Sequence, residues 1–147
     1  MSEETNTKVS TSYWVIAGAM LVWNLIGLMF YYQQSTLTPE MMVNAGLTPQ
    51  QIAHITNTPA WGHSGYAIAV NAGVLGSIFL LLRKAWAVPM FILSFVGVLV
   101  QDLDAIVLRD AIDAWGTSAL YLPVTVIVIC IAEIWYSRSA KQRGLIS

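Results

Sequence analysis

Four long apolar runs divide the chain, at about residues 13–32, 61–82, 86–108 and 120–136. Each has the ~20 residues that an α-helix needs to cross a hydrocarbon core, and no fifth run reaches that length. The pattern predicts an all-α membrane protein whose four transmembrane helices form an up-down-up-down bundle, a single domain over residues 13–136. A polar, Ser- and Thr-rich stretch at 1–12 has no apolar period and reads as a disordered lead-in. Residues 137–147 read as a basic tail. The first run is too long for the apolar part of a secretory signal and is followed by no small-x-small cleavage site, so it is expected to remain as a helix.

The long first loop, residues 33–60, carries its own punctuation. Thr-Pro recurs at Thr38-Pro39, Thr48-Pro49 and Thr58-Pro59. Thr is a good N-cap and Pro suits the first helical position, where its missing N–H would have no partner anyway, so each pair should start a helix. The first helix should run from Pro39 to Ala45 and end at Gly46, with Leu37 and Met42 spaced as a hydrophobic staple. The second has a Thr48–Gln51 capping box and a Leu47–Ile52 staple. The third Thr-Pro should open the second span. Two short helices are thus expected on the outer, extracytoplasmic surface, with Met41, Met42, Ile52 and Ile55 dipping into the interface or roofing the bundle.

Within the spans, small and polar residues mark faces. In the second span Gly65, Ala69 and Gly73 repeat at four, with Gly76 on an adjacent face, the spacing that lets a neighbouring backbone approach closely. These residues offer more close-contact surface than one neighbour needs, so part of it is expected to face another subunit. Asn24 in the first span is expected to hydrogen-bond another helix or to line a solute path. The third span turns polar after its first half: Ser94, Gly97, Gln101, Asp104 and Leu108 share one helical face, while Asp102 lies on another with Val98 and Ile106. An ionised carboxylate inside a bilayer costs about 2.5–3.5 kcal/mol on insertion scales, so Asp102 and Asp104 should face water, a partner charge or the bundle interior. Two readings remain open there, a wet helix end or a polar, proton-titrating vestibule. Because the turn at Arg83-Lys84 makes spans two and three antiparallel neighbours, His63 falls at the depth of Asp102 and Asp104, and a His–carboxylate pair is the most specific site expected. Asn71 lies close to the His63 face.

Composition strengthens the membrane assignment. Of 147 residues, 56% are hydrophobic and only 10% charged, far from the ~25% charged of soluble domains. The mean hydropathy is +0.63. A net charge of −1 points away from nucleic acid. Lys8, Arg83, Lys84, Arg138, Lys141 and Arg143 all fall on one side of the predicted topology and only Arg109 on the other, which predicts that both termini are cytoplasmic. Tyr13, Trp14, Tyr31, Tyr32, Trp61, Trp86, Trp115, Trp135 and Tyr136 fall near span ends, as interfacial anchors do.

Catalytic and cofactor chemistry finds little support. The single Cys130 lies in an apolar run and is expected to be a buried, inert thiol. His54 and His63 lie on one side of the membrane without metal-ligand spacing, which argues against zinc, copper and a haem held between two histidines. No Gly-rich phosphate loop and no Ser/His/Asp set is visible. The chain is therefore expected to be no enzyme and to hold no cofactor or metal.

Several strings carry a resemblance: W-N-L-I-G-L-M at 23–29, T-P-A-W at 58–61, L-L-L-R-K-A-W-A-V-P at 80–89, V-L-V-Q at 98–101 and W-Y-S-R near the C-terminus. With these the chain resembles a family of small four-span proteins of the bacterial inner membrane, often labelled sugar transporters. The strings are anchors, caps and packing residues, and Asp102 and Asp104 depart from the uncharged and aromatic residues that follow V-Q in that family. The resemblance implies solute transport. The first expectation is a transporter or permeation unit acting as a homo-oligomer, with Asn24, Asn71, Gln101, His63, Asp102 and Asp104 as candidate polar-site residues. The second is a non-catalytic accessory or assembly subunit bound to a larger membrane protein complex.

Overall fold

The computed structural model describes residues 8–147, so the first seven residues of the predicted lead-in lie outside the described residues. Helix α1 spans Thr11–Thr36, α4 Ala60–Leu81, α5 Ala87–Asp102 and α7 Tyr121–Gln142. Short helices α2 (Pro39–Asn44) and α3 (Pro49–Thr56) occupy the first loop, and α6 (Ala111–Trp115) the third connection. The last turns of α5 continue as a π-helical segment over Leu103–Leu108, and a 3₁₀ turn at Thr117–Leu120 leads into α7. Four helices are long and apolar enough to cross a membrane, the architecture of a multi-pass integral membrane protein.

Two of the three Thr-Pro pairs behave as their chemistry dictates. Thr38 caps α2 by accepting from the Met41 amide, and Thr48 forms the full capping box with Gln51 at α3. The third differs. Thr58 donates its hydroxyl to the Ile55 carbonyl at 2.8 Å, closing α3, and α4 starts after Pro59 without a side-chain cap.

The spine of the bundle is the α4–α5 hairpin, with α1 packed on α4 and α7 on α5. Close approach comes from small residues on both sides. A Cβ on Gly97 would sit 2.6 Å from the Ala69 nitrogen and 2.7 Å from the Gly65 oxygen. One on Gly65 would meet Val100 at 2.9 Å, and one on Gly76 would meet the Phe91 ring at 2.9 Å. Gly73 makes room for Asn24 of α1 and for the Ser94 hydroxyl. The Gly65, Ala69, Gly73 and Gly76 surface is therefore filled inside the protomer, between α4 and both its neighbours, and leaves no surplus for a subunit contact. What α4 presents outward is another stripe, Trp61, Ser64, Ile68, Asn71, Leu75 and Ile78.

The end that carries the Arg83-Lys84 turn is sealed by apolar packing. Tyr13, Leu80, Phe91 and Ala140 are buried together with Leu145 and Ile146. Tyr13 is an interior residue rather than an interfacial anchor: 1% exposed, it donates its hydroxyl to the Leu80 carbonyl at 2.5 Å. The basic tail is more ordered than its charge suggests. Helix α7 runs on to Gln142, Gly144 turns the chain at φ +69°, and the apolar pair Leu145-Ile146 folds back into the core. Arg83, itself left-handed at φ 57°, holds this return through its Nε on the Leu145 carbonyl at 2.8 Å and through backbone pairing of its own carbonyl with the Ser147 amide at 3.0 Å.

A test of the α4–α5 spine follows from these approaches. Gly97→Ala forces its methyl against rigid backbone and is expected to cost about 1–3 kcal/mol or more. Gly18→Ala, where nothing lies within 4 Å, is expected to be neutral or slightly stabilising in the same thermal unfolding assay in nanodiscs.

Candidate functional site

The helices do not close evenly around the bundle. α1 and α7 lie on opposite flanks of the hairpin and make no extended contact with each other. They meet through side chains, Tyr13 against Tyr136 with ring centroids 6.3 Å apart, and a polar link near the middle of the bundle. There Asn24 donates to Glu133 Oε1 at 2.6 Å. The same amide nitrogen reaches the Met20 carbonyl at 2.9 Å and Ser77 Oγ at 3.2 Å, and Ser77 in turn donates to the Gly73 carbonyl. Asn24, Ser77 and Glu133 are 8%, 0% and 2% exposed. A polar group buried in lipid must find its partners within the protein, which is why a carboxylate on α7 and an amide on α1 are held together here.

Above this link, toward the loop end, the two outer helices part and leave a cavity of about 280 Å³. All four long helices line it. Trp23, Gly27 and Phe30 come from α1, Tyr66 and Val70 from α4, Val98 and Asp102 from α5, and Val126 and Cys130 from α7. Its polar atoms come from Asn24 at the floor and from Ser94, Gln101 and Asp102 on the α5 wall. Two are already engaged: Asn24 in the link below, and Ser94, which donates to the Ala69 carbonyl at 2.7 Å, across the helix crossing. Asp102 stands apart, because among the described residues its Oδ2 is both buried and without a hydrogen-bond partner. The cavity opens sideways between α1 and α7, where Ile26, Phe30 and Leu122 line it and are also 40%, 53% and 66% exposed to the outside.

The loop end is covered by α3, with α2 packed on α3, and bolted down by charge. Asp104, 1% exposed, lies against Gly62, where a Cβ would come within 2.6 Å of its Oδ2. Arg109 clamps that oxygen with Nε at 2.9 Å and Nη2 at 2.5 Å, while its Nη1 donates to the His54 carbonyl of α3. His54 returns the contact, its Nε2 donating to the Ala105 carbonyl at 3.1 Å, and Gln50 donates to Asp113 of α6. The π segment makes the ion pair possible. In an α-helix five residues turn about 500°, which would put Arg109 some 140° around from Asp104. The wider π turn, seen in the Arg109 amide bonding the Asp104 carbonyl at 3.0 Å, brings them to one side.

The predicted site residues therefore separate into three groups. Asn24, Gln101 and Asp102 converge on the cavity. His63 and Asp104 share a small second cavity of about 70 Å³ under the roof, with Arg109, Tyr66 and Gln101. Among the described residues no His–carboxylate bond forms there: Asp104 pairs with Arg109 through Oδ2, and it is His54 that bonds the end of α5. Asn71 joins neither cavity: it faces out from α4 and donates to its own helix at the Ala67 carbonyl. The carboxylates are not a wet helix end either, one being clamped and the other turned inward. Sequence reasoning passed over Glu133, Trp23, Tyr66 and Cys130 as site residues. Glu133 carried a usable signal, since an ionisable residue inside a span is a functional candidate by default. Among the described residues no three His, Cys, Asp or Glu side chains converge to hold a metal ion.

Comparison with protein-family models, curated proteins and solved structures finds no match.

The Arg109 clamp predicts a local phenotype. Arg109→Ala leaves Asp104 buried without its counter-charge and is expected to cost about 3–5 kcal/mol. Hydrogen exchange should rise across Pro49–Thr56 more than across α1, with Arg109→Lys intermediate because an ammonium cannot fork to both acceptors.

Proposed function

We propose that this protein is a membrane solute-binding and permeation unit whose binding site is the cavity between α1 and α7. The observation that carries the reading is the buried, unpartnered Asp102 oxygen in a cavity lined by all four long helices. A carboxylate oxygen without a donor in apolar surroundings is costly unless the group takes up a proton or meets a ligand, and well-formed apolar pockets with a few convergent polar groups are where ligands bind. The transport implied by the family resemblance is in keeping with this reading, which includes no catalytic step. A second reading, assembly with another copy or a membrane-protein partner, is favoured by the outward stripe on α4. Its central Asn71 spends one amide hydrogen on its own helix and still has a carbonyl to offer a neighbour.

Reconstitution into liposomes tests both readings. Uptake is followed for a panel of small amines, sugars, carboxylates and alcohols. Wild type is expected to speed entry of at least one class over protein-free vesicles, and Val126→Trp, which fills the cavity, to abolish that gain. Equal rates for every solute in all three preparations would end the permeation reading. Asn71→Leu should lower the assembled mass in nanodiscs while leaving the melting temperature in place; an unchanged mass removes Asn71 from assembly.

A further inference from the structure

Resting on the proposal that this cavity is a solute site, we propose that its ligand is an amphiphilic monocation that enters from the bilayer and sets its charged nitrogen against Asp102. The charge comes first. Among the described residues, Asp102 Oδ2 is buried and has no donor, and the Lys and Arg side chains lie elsewhere. Arg109 is held by Asp104 and the His54 carbonyl. The other six basic residues precede α1, fill the α4–α5 turn or follow the apolar part of α7, at the opposite end of the bundle. One carboxylate without a counter-ion fits one positive charge, and anions are repelled by it.

The walls then select the body of the ligand. Trp23, Phe30 and Tyr66 supply aromatic faces on which an ammonium and its apolar substituents can rest. At about 280 Å³ the space lies near the lower end of the range for drug-sized ligands. A sugar suits it poorly. Asn24 shares its two amide hydrogens among three protein acceptors, and Ser94 gives its hydroxyl hydrogen to Ala69, so among the lining side chains only the Gln101 amide, the Trp23 indole N–H and the Tyr66 hydroxyl are left to serve a ring of hydroxyls. The entry route agrees with an apolar body. The rim formed by Ile26, Phe30 and Leu122 faces outward from the spans, so a molecule dissolved in the leaflet at the loop end reaches Asp102 without crossing the α2–α3 roof.

Equilibrium binding to the full chain in phosphatidylcholine nanodiscs tests the assignment. The probes are radiolabelled 4-phenylbutyl-trimethylammonium and its neutral isostere, in which carbon replaces the nitrogen. The cation is expected to bind saturably at one site per chain, at least about tenfold more weakly to Asp102→Asn and not at all to Val126→Trp. The isostere should bind weakly and equally to wild type and Asp102→Asn. Should Asp102→Asn not fold, the wild-type preference for the cation over its isostere decides alone. Saturable binding of both probes with equal affinity, blocked by Val126→Trp, would overturn the cation assignment and leave the solute site standing. Absence of saturable binding by either probe would overturn the cation assignment too; whether the cavity serves another solute class is then read from the uptake panel.

Discussion

The arrangement hangs on one hydrogen bond, from Asn24 on α1 to Glu133 on α7. These helices flank the α4–α5 hairpin without packing along each other, so the buried amide–carboxyl contact at 2.6 Å is what ties them at mid-bundle. In lipid neither group can turn to water, and each makes the other's burial tolerable. Below the link, aromatic contact between Tyr13 and Tyr136 and the folded-back Leu145-Ile146 close the bundle. Above it, among the described residues, no hydrogen bond joins α1 to α7, and the space between them is the cavity. The link is thus at once a tether and the cavity's floor.

The rigid spine is what allows such an opening. Gly65, Ala69 and Gly97 bring α4 and α5 together so closely that the two helices behave as one element, and Gly73 gives Asn24 the room to reach across to Glu133. At the loop end the π turn, the Asp104–Arg109 pair and His54 fix α3 by polar contacts. A chain of this size thereby keeps an interior cavity without a large core, since its two ends are locked independently and the α1–α7 seam above the Asn24–Glu133 link is left unfilled.

How much of this was legible follows from the range of each interaction. The spans, the Arg83-Lys84 hairpin, the α2 and α3 caps and the close-packing role of the span-two glycines are local or periodic, and the sequence shows them. Asn24 announced itself as a helix–helix hydrogen-bonding amide, yet its partner lies 109 positions away and no spacing rule connects them. The Asp104–Arg109 pair was hidden because the expectation assumed 3.6 residues per turn, and the π segment changes that angle. The same assumption left Asp104 free for His63. Thr58 and the tail were misjudged for a different reason. Thr-Pro signals a helix start, but the Thr hydroxyl can equally close the helix before it, and the basic residues ahead of Gly144-Leu145-Ile146 give no sign of the return.

The central claim, that Asn24 and Glu133 hold α1 and α7 together beneath an open seam, is tested most directly by the distance across that seam. Spin labels at Ile26 and Leu122 in nanodiscs, read by pulsed dipolar spectroscopy, should give one narrow distribution in an otherwise wild-type chain. With Glu133→Leu added, the distribution should broaden and move to longer distances while the helix content stays unchanged. An unaltered, narrow distribution in that variant would contradict the account, because the two helices would then be held by something other than this bond.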